Sequence, residues 1–216
     1  MIEPFLNSIG ITHVGHAEIP EKLRPFPGLP YAVSFGVPLS KTVVASIQEG
    51  PTHTYFHHYR TTNAFLDQAA LRLQLLLESR GYHAVYVPAS QSVSADGLSG
   101  LFSHKMAATL AGLGGVGQNA LFVSNIYGPA LRLSTVLTDY RAETGTMAAN
   151  PCTNCGACVQ ACPAGALTGA AWQPGMPRYE LIDASKCSAH MKKAYQNIGR
   201  GAVCGICMAV CPLCRK

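Results

Sequence analysis

Cys152-Thr153-Asn154-Cys155-Gly156-Ala157-Cys158-Val159-Gln160-Ala161-Cys162-Pro163 is the stretch on which the reading of this chain turns. Its spacing is Cys-x2-Cys-x2-Cys-x3-Cys-Pro. A shortened copy follows at Cys204-x2-Cys207-x3-Cys211-Pro212, with Cys187 upstream as its detached member and Cys214 left over. All nine cysteines fall after residue 150. The chain opens with Glu3 and Pro4 directly behind Met1, and no basic segment leads into an apolar run, so no secretory leader and a cytoplasmic setting are expected. In such a compartment closely spaced thiols read as metal ligands rather than disulfides.

The spacing is that of the bacterial two-cluster ferredoxins, in which three neighbouring thiolates grip one four-iron cubane and the fourth turns to the other. Crossed wiring of this kind assigns Cys152, Cys155, Cys158 and Cys211 to one 4Fe-4S cluster, and Cys187, Cys204, Cys207 and Cys162 to a second. Zinc also takes paired Cys-x2-Cys, but a tetrahedral site needs neither a third cysteine two residues on nor Cys-Pro in both copies. Gly156, Ala157, Ala161, Ala164, Gly165 and Gly205 are small enough to let backbone amides reach cluster sulfides, and a merely tight fold would use the same residues. Cys214 either replaces a ligand or is a spare thiol.

Outward from the cysteines, composition narrows the class. The chain has 216 residues, 48% hydrophobic and only 12% charged, enough apolar material for a real core and a surface short of charge. Through Asp183 there are 10 Lys and Arg against 11 Asp and Glu; beyond it stand Lys186, Lys192, Lys193, Arg200, Arg215 and Lys216 with no acid. A basic tail suits nucleic acid or an acidic protein partner, but thiolate-bound clusters in the same segment are themselves negative and call for compensation. The longest uncharged run, residues 106–123, is broken by glycines, Thr109, Gln118 and Asn119, which argues against a membrane span.

Ahead of the cysteines the pattern is mixed. Residues 11–14, 31–37, 82–87, 121–124 and 131–138 read as strands. Residues 63–80 form the clearest helix, with Phe65, Leu66, Ala69, Ala70, Leu73, Leu76 and Leu77 at intervals of three and four, stopped by Gly81; residues 104–111 form a second, stopped by Gly112. The expected organisation is α+β: an α/β domain over 1–147 that holds a cofactor or substrate, then a ferredoxin-like double-cluster domain over 148–216. Gly112-Leu113-Gly114-Gly115-Val116-Gly117 satisfies the dinucleotide pattern G-x-G-x-x-G, with Asp139 roughly where a ribose-binding acid belongs. That pattern must follow a strand and open a helix, whereas here helix-forming residues precede it and strand-forming residues follow.

Residues 104–108 (His-Lys-Met-Ala-Ala), the run from Ala111 through Gly117-Gln118-Asn119-Ala120-Leu121, Tyr127-Gly128-Pro129, Arg132-Leu133 and Val136-Leu137-Thr138-Asp139, in that order and followed by the double cysteine motif, resemble the epoxyqueuosine reductase family and the related reductive dehalogenases. The resemblance covers roughly residues 59–212. It implies a nitroreductase-like mixed α/β domain joined to two four-iron clusters, with cobalamin as a further cofactor lined by Gly112, Gly114, Gly117 and Asn119. Three departures stand out. The family's lysine before the asparagine is Gln118 here. The acid that donates a proton in the queuosine enzymes has its nearest counterpart in Asp96, displaced by a couple of residues. The sequence stops at Lys216 without the helical-repeat extension that helps those enzymes hold tRNA, which makes tRNA an unexpected partner.

Asp96 and His104 flank the glycine run and are the candidate proton donors. His53, His57 and His58 cluster before the long helix; a polar loop over packed aromatics suits them better than a metal site, because no cysteine or carboxylate is near in sequence. The sequence therefore predicts a cytoplasmic iron-sulfur oxidoreductase that takes electrons from an external donor such as a flavodoxin or ferredoxin and delivers them to cobalamin or a small-molecule substrate. The competing reading is a protein that transfers electrons or handles a corrinoid and catalyses nothing itself.

Overall fold

The computed structural model describes residues 1–214 and divides them between two compact units, each assembled from three separate segments. The first comprises Met1–Val37, Thr61–Gly114 and Arg132–Ala149. Along the chain, α1 (Ile2–Ser8), β1 (His13–Glu18), β2 (Tyr31–Pro38), α2 (Lys41–Ala45), α3 (His53–Glu78), β3 (Ala84–Val87), α4 (His104–Leu110), β4 (Gly114–Val116), β5 (Phe122–Ser124) and β6 (Leu131–Thr138) precede the short helices α5 (Ala157–Gln160), α6 (Ala184–Ala194) and α7 (Ile206–Ala209).

The first unit is built on a four-stranded sheet in the order β1-β2-β6-β3, with antiparallel pairing of β1 to β2 and of β3 to β6. Side chains alternate between its two faces. Val33 and Phe35 of β2 and Val136 of β6 pack with Leu66, Ala69, Ala70, Leu73 and Leu77 of α3 and with Ile2 and Leu6 of α1. Ala32 and Leu137, one position out of phase, pack instead with Ala107 and Ala111 at the α4 end, and with Ile19 and Val87. Helices thus cover both faces, which is why β2 and β6 are apolar almost throughout rather than alternating. The mixed α/β class is the one the sequence predicts.

Several boundaries differ from the expected ones. The first strand starts at His13 rather than at residue 11, and Ile11 is simply buried core. The long helix begins ten residues early, at His53, so His53, His57 and His58 are helical and not in a loop. Thr52 supplies the start: its Oγ1 accepts the Tyr55 N–H at 3.1 Å, and its carbonyl accepts Phe56 N–H. Gly112 ends α4 in a left-handed conformation (φ 76°), with Leu113 N–H bonded to Ala108 O and Gly112 N–H to Thr109 O, a Schellman closure. The G-x-G-x-x-G run therefore closes a helix and opens β4, the reverse of the dinucleotide arrangement.

The second unit comprises Pro38–Arg60, Gly115–Leu131 and the segment from Asn150 onward. Packing thus divides the chain differently from a linear cut at 147/148: Leu39, Val44, Ile47, Tyr55 and Ala130 share one core with Val203, Met208 and Ala209 of the cysteine-bearing segment. A second cluster joins Val116 and Ala120 to Cys158, Leu167 and Leu181. Among the described residues, no helix is long and apolar enough to cross a membrane.

Candidate iron-sulfur centre

Each copy of the cysteine motif folds the same way. Cys155-Gly156-Ala157-Cys158 and Cys204-Gly205-Ile206-Cys207 both place glycine at a helix N-cap with left-handed backbone, φ 76° at Gly156 and 89° at Gly205. One short helix turn follows in each, with Val159 and Gln160 N–H bonded to Gly156 O, and Met208 and Ala209 N–H bonded to Gly205 O. The cysteine of each Cys-Pro pair is then tied back, Cys162 N–H to Val159 O and Cys211 N–H to Met208 O. Glycine at the cap is a requirement of the backbone, because a β-carbon disfavours that conformation.

Cys152, Cys155, Cys158 and Cys211 line a single hollow together with Gln118, Asn119, Val123 and Leu213; with its mouth it encloses about 370 Å³. Burial pushes the Cys158 thiol up, and charge on Cys152 and Cys211 adds to the shift. Burial also raises Cys211, with Cys152 and Cys155 contributing. A separate circle of influence links the rest. Burial followed by Cys204 and Cys162 raises Cys187; burial and Cys162 raise Cys204; burial followed by Cys204, Cys187 and Cys162 raises Cys207, with a smaller contribution from Cys158. The structure brings 152, 155, 158 and 211 to one hollow; 162, 187, 204 and 207 influence one another electrostatically, with Cys158 acting on Cys207 as well. Thiolates gathered in this way repel one another, and an iron cluster's positive charge would relieve such a set, so the donor chemistry fits iron-sulfur ligation. Among the described residues, no three His, Cys, Asp or Glu side chains meet closely enough for one single metal ion; a cubane binds its thiolates at separate corners and has no need of that convergence.

Cys214, the ninth cysteine, donates its thiol hydrogen to Met208 O at 3.1 Å, and burial, with Cys211 adding, pushes it up to about 12. Arg215 and Lys216 of the basic tail lie outside the described residues.

Gln118 stands where the family has lysine, and its amide works in both directions: Nε2 donates to Gly169 O, and Oε1 accepts Gly156 N–H at 3.2 Å. It thereby clamps the cap of the first cysteine helix. Asn150 does similar work, donating to Val116 O at 2.8 Å and accepting Cys152 N–H at 3.1 Å. Sequence reading marked Gln118 only as a departure from the family's lysine and passed over Asn150, whose place two residues before Cys152 is the one local signal.

The residues linked to a corrin have other neighbours. A β-carbon on Gly112 would stand 2.5 Å from Thr146 O, and one on Gly117 would stand 2.8 Å from Asn119 Oδ1, 2.9 Å from Val123 and 3.5 Å from Cys152 Sγ. Asn119 is buried, and its Oδ1 accepts Leu121 N–H at 3.1 Å. Gly114 opens β4. Asp96 sits in the exposed loop after β3, accepting from Ser94 Oγ at 2.5 Å and Leu98 N–H at 2.9 Å. The His104 ring is occupied on both sides: Nε2 must donate to Pro88 O at 3.0 Å, which leaves Nδ1 to accept from Thr135 Oγ1 at 2.8 Å. Burial holds it below the ordinary histidine value, so the neutral ring is the resident form.

This is a mixed α/β protein with an iron-sulfur segment: residues 151–213 match the family described as 4Fe-4S double cluster binding domain. Curated relatives carry the name epoxyqueuosine reductase. The protein of Listeria monocytogenes is 29% identical over 116 residues, 53% of this chain and 30% of its own length, and that of Gloeobacter violaceus is 30% identical over 125 residues, 53% and 36%. The matched region is thus about a third of those relatives. Among solved structures, the catabolic reductive dehalogenase NpRdhA superposes with a TM-score of 0.81 at 18% identity, over 100% of this chain and 31% of that one. Epoxyqueuosine reductase from Streptococcus thermophilus superposes with 0.64 at 18% identity, over 100% and 65%. At that identity the structures speak for the fold alone.

Proposed function

We propose that this chain is an iron-sulfur reductase of the epoxyqueuosine reductase-like type, acting in the cytoplasm, with a nitroreductase-like α/β part for substrate and a ferredoxin-like part for electrons. The observation that carries the reading is the hollow lined by Cys152, Cys155 and Cys158 of the first motif copy together with Cys211 of the second, the exchange of one cysteine that crossed wiring calls for. When bound, two four-iron clusters supply one-electron relay between a donor and the reacting group. The chain's own residues do the rest. Gln118 and Asn150 fix the first ligand loop, Gly156 and Gly205 turn the backbone at the start of each cysteine helix, and exposed Lys186, Lys192 and Lys193 on α6, the helix bearing Cys187, suit an acidic donor such as a flavodoxin or ferredoxin.

Cobalamin is implied by the resemblance, and one structure of a reductive dehalogenase is described as suggesting a mechanism for B12-dependent dehalogenation. In this chain Gly112 and Gly117 offer no cradle for a macrocycle on their side-chain faces, which Thr146, Asn119 and Val123 already fill. Of the two candidate acids, Asp96 has the exposed carboxylate that proton delivery needs, whereas His104 has both nitrogens engaged.

Iron and sulfide analysis of protein purified and reconstituted without oxygen tests the reading, with about eight of each expected per chain for two cubanes. Cys155→Ser is expected to remove about half. Two zinc ions and no sulfide would overturn it. Epoxyqueuosine reductase has been seen with an epoxyqueuosine-modified tRNA stem loop; the small-molecule reading proposed here expects only weak tRNA binding that vanishes near physiological salt, whereas tight, salt-resistant, selective binding would transfer the substrate to tRNA.

A further inference from the structure

We propose that the outward face of α3 is a homodimer seam, on which a second copy of this chain lays its own α3 antiparallel across a two-fold axis at Leu75. The part of α3 concerned lies within the first unit, from Thr61 to Glu78. Its inner face is already covered, since Leu66, Ala69, Ala70, Leu73 and Leu77 pack in the core with Val33, Phe35 and Val136 of the sheet. The outer face is apolar as well. Leu71 and Leu75 are 43% and 55% exposed, and Phe65 on the same helix is 37% exposed. With Ala64 and Gln68, also exposed, the two leucines fall at 64, 68, 71 and 75, the four-three-four spacing by which paired helices meet. At about 100° per residue all four positions keep within about 40° of one line along the helix. Exposed apolar side chains that stand singly, as Leu23, Val93 and Ile126 do elsewhere, are ordinary; a stripe of them on a helix buried along its other side marks a face that something covers.

Charge identifies the cover. Between Thr61 and Glu78 the charged residues are Asp67, Arg72 and Glu78. Asp67 is engaged with its own chain, its Oδ1 accepting Ala89 N–H at 2.7 Å. Arg72 and Glu78 are exposed. Among the described residues the ion pairs join Glu3 to His16, Glu18 to Arg24 and Asp139 to His83, so Arg72 and Glu78 find no opposite charge there. The Glu78 carboxylate takes a neutral donor, Gln74 Nε2 at 3.1 Å.

Arg72 stands three residues before Leu75 and Glu78 three after, about 60° to either side of it. A two-fold axis through Leu75, normal to the helix, brings the position three before it in one copy opposite the position three after it in the other. Leu75 then meets its counterpart, Arg72 faces Glu78 of the second copy, and Glu78 faces the second copy's Arg72. Two ion pairs flank the apolar stripe, one on each side, and an isologous contact of this kind closes at two copies. An axis at Leu71 would instead set Leu75 opposite Asp67 and leave Arg72 and Glu78 unmatched, which is what selects Leu75. The seam uses none of the cysteines, so it stands or falls apart from the iron-sulfur reading.

The test is the mass of the anaerobically reconstituted full chain, by light scattering or sedimentation across a dilution series, for wild type, Leu75→Glu, Arg72→Glu, Glu78→Arg and an equimolar mixture of the last two. Leu75→Glu sets like charges face to face on the axis while keeping a good helix former at an exposed position. Circular dichroism, iron content and electron paramagnetic resonance of the clusters check that each variant is folded; the charge variants decide the matter if Leu75→Glu is not. Expected are twice the mass of one chain for wild type and the mass of one chain for Leu75→Glu. Either charge variant alone should associate roughly 10- to 100-fold more weakly, because two attractive pairs become two repulsive ones. Mixed, the two should pair with each other in preference to themselves, since one carries two acids on the seam and the other two bases, and added salt should narrow that preference. A wild-type mass of one chain at every concentration, a folded Leu75→Glu that remains dimeric, or a mixture that associates no better than its parts would overturn the seam.

Discussion

Gly156 and Gly205 occupy the same place in the two cysteine motifs and the same region of backbone space, yet an added methyl meets different surroundings. At Gly156 a β-carbon finds only Gln160 Nε2, at 4.0 Å; at Gly205 it would stand 2.6 Å from Ile47 Cδ1, 2.9 Å from the Tyr55 hydroxyl and 3.0 Å from Tyr55 Cζ. Gly156→Ala therefore carries the left-handed backbone cost alone, about 1–2 kcal/mol. Gly205→Ala carries that plus overpacking against two buried side chains, typically about 1–3 kcal/mol more. For a chain of this size each kcal/mol lowers Tm by about 2–4 °C, so Gly156→Ala should fall by about 2–8 °C and Gly205→Ala by a further 2–12 °C. Thermal unfolding of the reconstituted proteins under one anaerobic condition measures the difference directly. Equal losses in the two variants would show that Ile47 and Tyr55 yield without cost and that the core joining residues 38–60 to the second motif is loosely packed.

Gln118→Lys keeps a donor for Gly169 O but deprives Gly156 N–H of its acceptor; a loss of about 1–3 kcal/mol and lower iron retention at the first cysteine set are expected, read by urea unfolding and iron analysis. Gly117→Val forces a branched side chain toward Val123 and Cys152, so the resonance signal of the first cluster should weaken while that of the second persists; an intact first signal would contradict the packing. The folded value of His104 lies below the unfolded one near 6.5, so its contribution to stability is complete above that pH and declines as pH falls below it. Its ring resonances should accordingly titrate below 6.5, and a midpoint above 6.5 would refute the buried neutral ring.

The sequence made the cysteine chemistry legible because ligand spacing is local: Cys-x2-Cys-x2-Cys-x3-Cys-Pro constrains one loop whatever surrounds it. The same holds for residues 131–138, whose predicted strand is reproduced end to end. The start of α3 escaped because Thr52 caps it ahead of a stretch rich in histidine and aromatic residues, which carries no clear helical stripe. The roles of Gln118 and Asn150 escaped for a different reason. Each joins backbone groups distant in sequence, 51 residues apart for Gln118 and Gly169, and nothing in a single sequence marks which amide will find which carbonyl. The glycine run shows the opposite hazard, a familiar pattern whose first glycine stops a helix and whose last makes room for Val123.

The three-segment construction of the second unit bears on how the protein is made. Leu39, Val44, Ile47 and Tyr55 leave the ribosome long before Val203 and Met208, the residues they pack against. Closure of that core joins positions some 150 residues apart, and contacts so remote in sequence form late because the intervening chain must first give up its freedom. Until they form, the Gly205 turn has no Ile47 or Tyr55 beneath it. A fragment beginning at residue 148 would carry every cysteine while lacking Leu39, Val44, Ile47, Tyr55 and Ala130, the residues against which Val203, Met208 and Ala209 pack.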